Sequence, residues 1–255
     1  MGNSAGAVLV GAVFACLPVA AAAGPPFLTD DPEPVDYGHY EAYLFSQWDN
    51  VAGSSSTVNG PAFEFNAGVL PNVQVHVVAP YGNVTARGMP TANGYGDTEV
   101  GVKYRFIQET PNRPQVGIFP AAEFATGDAA RGLGNGQTWY RLPIWVQKSW
   151  DDDKWTSYGG GGLAVNHAPG QRNYGFGGLL LQRAFGKALS LGAEIYTQGP
   201  TANGLTPATF YNVGGAINPT DRFSILFSLG HSIAGASQAI GYVGLYVTFP
   251  RAPSH

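Results

Sequence analysis

Residues 98–106 (TEVGVKYRF) alternate strictly. Thr98, Val100, Val102, Tyr104 and Phe106 fall on one face; Asp97, just ahead of them, Glu99, Gly101, Lys103 and Arg105 fall on the other. A period of two makes this a strand with one apolar and one polar face. Similar segments recur near residues 38–48, 62–70, 73–82, 97–107, 115–126, 137–149, 155–166, 173–184, 188–198, 209–218, 222–232 and 240–249. Their connections alternate too. One set is short or polar (70–73, 109–114, 151–154, 185–188, 218–221); the other is mostly longer and rich in Gly, Ser, Asn and Thr (49–61, 83–96, 127–136, 167–172, 199–208, 233–239). A soluble sandwich would share the alternation, but not this asymmetry of loops. The pattern predicts an all-β fold, a closed antiparallel up-and-down transmembrane β-barrel of about 12 strands. Closure follows because lipid cannot satisfy an open sheet edge.

The N-terminus bears on where such a barrel would act. Residues 1–23 carry no charge, and Ala21-Ala22-Ala23 offers an A-x-A cleavage site, so 1–23 is expected to be a signal peptide. The sole cysteine, Cys16, would leave with it. A disulfide framework, thiolate catalysis and a cysteine metal site are then excluded from the mature chain. A net charge of −4 argues against nucleic acid as a partner. The expected organisation is a Pro-rich acidic segment over 24–37, the barrel over 38–250 and a short tail over 251–255. This points to the bacterial outer membrane, with outer-membrane lipid, the barrel-assembly machinery and a small-molecule solute as partners. No cofactor or metal is expected.

Parity assigns the lumen. Glu64, Glu99, Lys103, Arg105, Glu123, Arg141 and Glu194 should point inward, with Glu99, Glu123 and Arg141 at similar height on adjacent strands. They form either a charged constriction that selects solutes or a salt-bridged network that fills space. Tyr43, Trp139, Trp145, Tyr158, Tyr196, Tyr242 and Tyr246 give the same interior much aromatic surface. Such faces suit aromatic or partly apolar solutes, or simply plug a small barrel. Trp150 and Trp155 bracket the 151–154 turn with outward parity, and Trp48 sits at the opposite rim, where an interfacial aromatic girdle belongs.

Catalysis has little to stand on. A barrel phospholipase needs a Ser, a His and an orienting group in reach. The candidates, Asn166-His167 and His231-Ser232, are sequence neighbours that point to opposite faces of a strand. No catalytic residue is assigned. The run Tyr158-Gly159-Gly160-Gly161-Gly162 lacks the Lys-Ser/Thr of a phosphate loop.

The stretch PPFLTDDPEPVDY (25–37) is too rich in proline for a helix or a paired strand. At the periplasmic mouth, its acids Asp30, Asp31, Glu33 and Asp36 would face Lys103, Arg105 and Arg141. The segment is expected either to fold into the lumen as a stiff plug or to remain a tether outside it.

Several stretches resemble the outer-membrane barrel family named for the meta-cleavage pathway of phenol degradation. They are GPPFLTDDPEPVDYGHYEAYLFS, FPAAEFATGD (119–128), RLPIWVQKSW with WTSYGGGGLAVN (141–166), and GLLLQRAF (178–185). The resemblance implies an outer-membrane channel or transporter associated with aromatic or hydrophobic compounds. The alternative from the residues alone is a closed structural or adhesion barrel that acts through its loops.

Overall fold

The computed structural model describes residues 25–249. The expected signal peptide 1–23 and the tail 251–255 lie outside the described residues. The strands are β1 (Tyr40–Val51), β2 (Ser55–Leu70), β3 (Val73–Ala86), β4 (Ala92–Tyr95), β5 (Thr98–Ile107), β6 (Gln115–Ile118) and β7 (Ala121–Phe124). They continue with β8 (Trp139–Trp150), β9 (Trp155–Val165), β10 (Tyr174–Phe185), β11 (Leu189–Gln198), β12 (Ala208–Thr220), β13 (Phe223–Ala234) and β14 (Gln238–Phe249). Every pairing is antiparallel, β14 closes onto β1, and the pairing of β3 with β5 leaves the sheet no open edge. Fourteen segments build a wall of twelve strands. β4 and β5 are one strand interrupted at Gly96-Asp97, and β6 and β7 are another interrupted at Phe119-Pro120.

The alternation turns the barrel inside out relative to a soluble protein. Leu44, Phe63, Val102, Leu142, Ile144, Leu163, Leu179, Leu229 and Val243 are all exposed on the outer wall. Their strand neighbours of opposite parity, such as Glu64, Arg141 and Trp145, are buried in the lumen. The core is therefore the lumen, and it is largely polar and aromatic.

Three boundaries differ from the sequence reading. The expected long loop at 49–61 is mostly strand: β1 and β2 keep pairing to Val51↔Ser55, leaving a turn at 52–54. Likewise 83–96 is occupied by the end of β3 and by β4, which pair from Tyr81↔Tyr95 to Val84↔Ala92. Ladder hydrogen bonds use backbone groups alone, so polar Ser, Thr and Asn continue a hairpin beyond the apolar band. The single strand expected over 115–126 is broken where Pro120 lacks a donor. The Asp151-Asp152-Asp153 turn takes left-handed φ values of 56°, 52° and 59°, a conformation Asp tolerates better than most residues.

Candidate functional site

The N-terminal segment lies inside the barrel. It enters at the short-turn end, where the Val35 N–H donates to Gln74 Oε1 (2.9 Å). Glu33 Oε2 accepts from Gln115 Nε2 (3.3 Å) and Gln147 Nε2 (3.2 Å), and Arg105 stands 3.8 Å from its other oxygen. Higher up, Lys103 Nζ meets Asp30 Oδ1 at 3.1 Å and Asp31 Oδ1 at 3.4 Å. The Leu28 and Thr29 N–H groups each donate to Glu194 at 2.8 Å, and Ser228 Oγ donates to the Pro26 carbonyl at 2.6 Å. A segment with four prolines cannot pair as a strand. Instead, the N–H groups of Leu28, Thr29 and Val35 are met by lumen side chains, and those of Asp31 and Glu33 by Asp30 and Asp31 of the segment itself. Phe27 and Asp30 are essentially inaccessible, at 1% and 0% exposure. Burial also pushes the Asp31 carboxyl up to about 6, with Lys103 pulling it the other way.

Two details of the expected plug are corrected. Asp36 is exposed at the mouth and contributes its backbone carbonyl, which accepts from His39. Arg141 does not face the segment's acids; the opposing charges on it are Glu99 and Glu123. Its strand carries it toward the long-loop half, beyond the reach of a segment anchored at Lys103.

Around mid-height a polar septum crosses the lumen. His76 Nδ1 bonds Asn66 Oδ1 (2.8 Å), and His76 Nε2 bonds Glu99 Oε1 (3.0 Å). Asn66 Nδ2 donates to Glu64 Oε1 (2.9 Å). Register sets Glu99 directly opposite Glu123, and Glu123 opposite Trp139, while Arg141 faces Ala121 two residues along. The three residues expected at similar height are thus neighbours. Aromatic rings complete the layer. Phe119 stands edge-on to His76 with Lys103 Nζ 5.1 Å from its centroid. Phe176 lies 6.4 Å from each of Trp145, Tyr174 and Tyr196, with the Arg141 guanidinium 5.9 Å away.

The septum separates two recesses, with no residue lining both. The one at the long-loop end measures about 350 Å³ and is floored by Glu99 and Glu123 with Phe45, Val78, Pro80 and Leu133 in its walls. The other, at the short-turn end, measures about 520 Å³ and is lined by Tyr43, Glu64, His76, Lys103, Tyr158 and the plug's acids. A smaller pocket of about 90 Å³ lies between Phe27 and Leu28 on one side and Phe210, Ile240 and Tyr242 on the other. The long loop after β7 roofs the first recess. Asp97 holds it there, accepting from the N–H groups of Gly127 (2.8 Å) and Asn135 (2.5 Å), and Leu133 is buried beneath.

The remaining sequence candidates are placed as follows. Trp139 and Trp145 are fully buried. Tyr43 and Tyr246 pack with their rings tilted at 4.6 Å, and both hydroxyls donate to Glu41 (3.0 and 2.6 Å). Tyr242 stacks on Phe45 at 5.2 Å, and Tyr196 packs with Phe210 and Ile240. Trp150 and Trp155 pair across β8 and β9 at the short-turn end, with Trp150 exposed and Arg183 over the Trp155 ring (5.1 Å). Trp48 pairs with Gly241, over which its ring lies. His231 and Ser232 form no dyad: His231 Nδ1 bonds the Ser232 carbonyl while Ser232 Oγ donates to the Ala236 carbonyl. Asn166 exchanges hydrogen bonds with Asn135 (3.1 Å), and His167 is exposed. Sequence reasoning missed Phe45, Phe119 and Phe176. Parity along β1 and β10 places Phe45 with Tyr43, and Phe176 with Tyr174, so the signal for these two was present. Phe119 stands at the β6–β7 break, where parity is lost.

No protein-family model matches the chain, and no curated protein matches it. Solved structures do. An outer membrane channel of Pseudomonas putida F1 is 14% identical with a TM-score of 0.71, over 86% of this chain and 98% of that one. The NanC porin is 9% identical with a TM-score of 0.54, over 81% and 98%. The translocator domain of the autotransporter NalP from Neisseria meningitidis is 13% identical with a TM-score of 0.53, over 82% and 88%. At such identities the likeness is one of fold, and the fold is that of a transmembrane β-barrel.

Proposed function

We propose that this protein is an outer-membrane channel for small, aromatic or hydrophobic solutes, held closed by its own N-terminal segment. The observation that carries the reading is the division of the lumen. Recesses of about 350 and 520 Å³ enter from opposite ends and stop at a layer of polar and aromatic side chains against which residues 25–36 dock. A barrel stabilised only as a solid body would gain more from aliphatic packing than from buried ion pairs, which are weak contributors to stability. A segment held by such pairs is instead a part that can be removed. The aromatic layer offers faces to solutes with an apolar body. The fold it shares with an outer membrane channel agrees, as does the resemblance to the phenol-pathway barrel family, and the long-loop end is then extracellular. No arrangement for catalysis enters this reading.

The test is single-channel conductance of the refolded mature protein against a version lacking residues 24–36. The full-length protein should be closed or weakly conducting, and the truncation should open it. If neither conducts while both stay folded, the lumen is filled by its wall and the closed structural barrel is the better reading.

A further inference from the structure

The recess at the long-loop end is floored by three buried acidic side chains, Asp97, Glu99 and Glu123, at 6%, 2% and 8% exposure. Each of the first two is accounted for. Asp97 is held by two backbone N–H groups of the loop above, and Glu99 shares a hydrogen bond with His76. Arg141 is the cation facing both Glu99 and Glu123. Glu123 differs: its Oε2 is buried and meets no donor at hydrogen-bonding distance, and the indole N–H of Trp139, which faces it across the strand pair, is unmet as well. A carboxylate oxygen removed from water without a partner is costly, so a cation delivered to it would gain more than at an exposed site. The walls around it are apolar, from Phe45, Val78, Pro80 and Leu133, and the space is several times that of one water. Such walls favour a cation with an organic body over a bare, strongly hydrated ion.

We propose that this recess is a binding site for small organic ammonium compounds, with Glu123 as the carboxylate that receives the charged nitrogen. Glu99 supports it by adding negative potential directly across the strand pair, and Arg141 keeps the two acids from repelling one another. The same floor rejects anions: an aromatic acid would bring a second carboxylate to Glu123 and Glu99. The site narrows the proposed solute class from aromatic or hydrophobic compounds to amine-bearing ones, and to that extent rests on the channel reading.

Binding is measured on the plugged, full-length protein in detergent, so it needs no conduction. Benzylamine, benzyl alcohol and benzoate share one ring and differ in charge. Each is titrated at neutral pH, followed by calorimetry and by tryptophan fluorescence, since Trp139 stands opposite Glu123. Benzylamine should bind about tenfold more tightly than benzyl alcohol, a modest ion-pair preference, and benzoate should not bind. Glu123→Gln should bring the amine down to the alcohol's affinity, while Asp152→Asn in the distant turn should change nothing. Equal affinity for amine and alcohol in the unmodified protein overturns the site, whether or not the Glu123→Gln variant folds. So does a preference that survives Glu123→Gln in a folded barrel. A protein that binds benzylamine but conducts under no condition keeps the site and loses the channel reading instead.

Discussion

From β2 to β8 the lumen wall carries Glu64, His76, Glu99, Lys103, Arg105, Glu123 and Arg141; from β9 to β14 the only buried charge among the described residues is Glu194, set among Tyr174, Tyr196, Phe210 and Tyr242. The N-terminal segment lies between these flanks and treats them differently. Its acids reach the first flank, where Lys103 and Arg105 wait. Its Phe27 and Leu28 turn to the second, where Glu194 collects two backbone N–H groups. The same short peptide is thus held by ion pairs on one side and by packing and backbone hydrogen bonds on the other. The two kinds of anchor fail differently: an ion pair fails when one partner is lost, because the survivor is left buried and charged, whereas packing fails in proportion to the volume removed.

Lys103→Met breaks the charged flank and should have the largest effect. It leaves Asp30, fully buried, without its cation, a loss of about 3–5 kcal/mol in docking. The open fraction in planar bilayers should rise steeply, and the segment should become a protease target. Adding Asp30→Asn should recover much of the closure. If Lys103→Met stays closed, the charged flank is not the anchor.

Phe27→Ala tests the other flank, with an expected loss of about 3 kcal/mol from an emptied, almost inaccessible site. Its effect should be additive with Lys103→Met only if the flanks act independently, which a double-mutant cycle on conductance measures. Glu194→Gln is milder. Leu28 and Thr29 bond different carboxylate oxygens, so the amide keeps an acceptor for one and turns its NH2 toward the other; a loss of about 1–2 kcal/mol is expected in segment release, followed by limited proteolysis.

The smallest effect is that of pH. Asp31 is pushed up to about 6 in the docked segment, through burial and the nearby Asp30 and Glu33, with Lys103 opposing. A carboxyl whose pKa is raised by docking disfavours the docked form fully above that pKa, progressively less between it and the ordinary carboxylate value, and not at all below both. Lowering the pH from 7.5 to 5.5 should therefore tighten docking of the segment slightly, and Asp31→Asn should remove that dependence. Opening on acidification would mean that loss of the Asp31–Lys103 attraction outweighs desolvation.

Much of the fold was legible in advance, and the site less so. The twelve-strand wall, the direction of each strand and the division into lipid-facing and lumen-facing residues follow from a period of two and from turn chemistry, which are local properties. Glu99, Glu123 and Arg141 could be placed together because each lies a countable distance from a turn. The breaks at Gly96-Asp97 and Phe119-Pro120, and the hairpins that outrun the apolar band, were not countable in the same way. Nor could charge alone say whether residues 25–36 stand inside the barrel or outside, or that Asp36 stays at the mouth while Asp30 is buried. Those outcomes depend on contacts such as Lys103 with Asp30 and Glu194 with Leu28, made between residues far apart in the chain. The barrel is written in local pattern, because strand alternation and backbone pairing repeat every two residues. What fills it rests on long-range contacts, because a closed lumen brings together side chains whose spacing in the chain carries no record of their meeting.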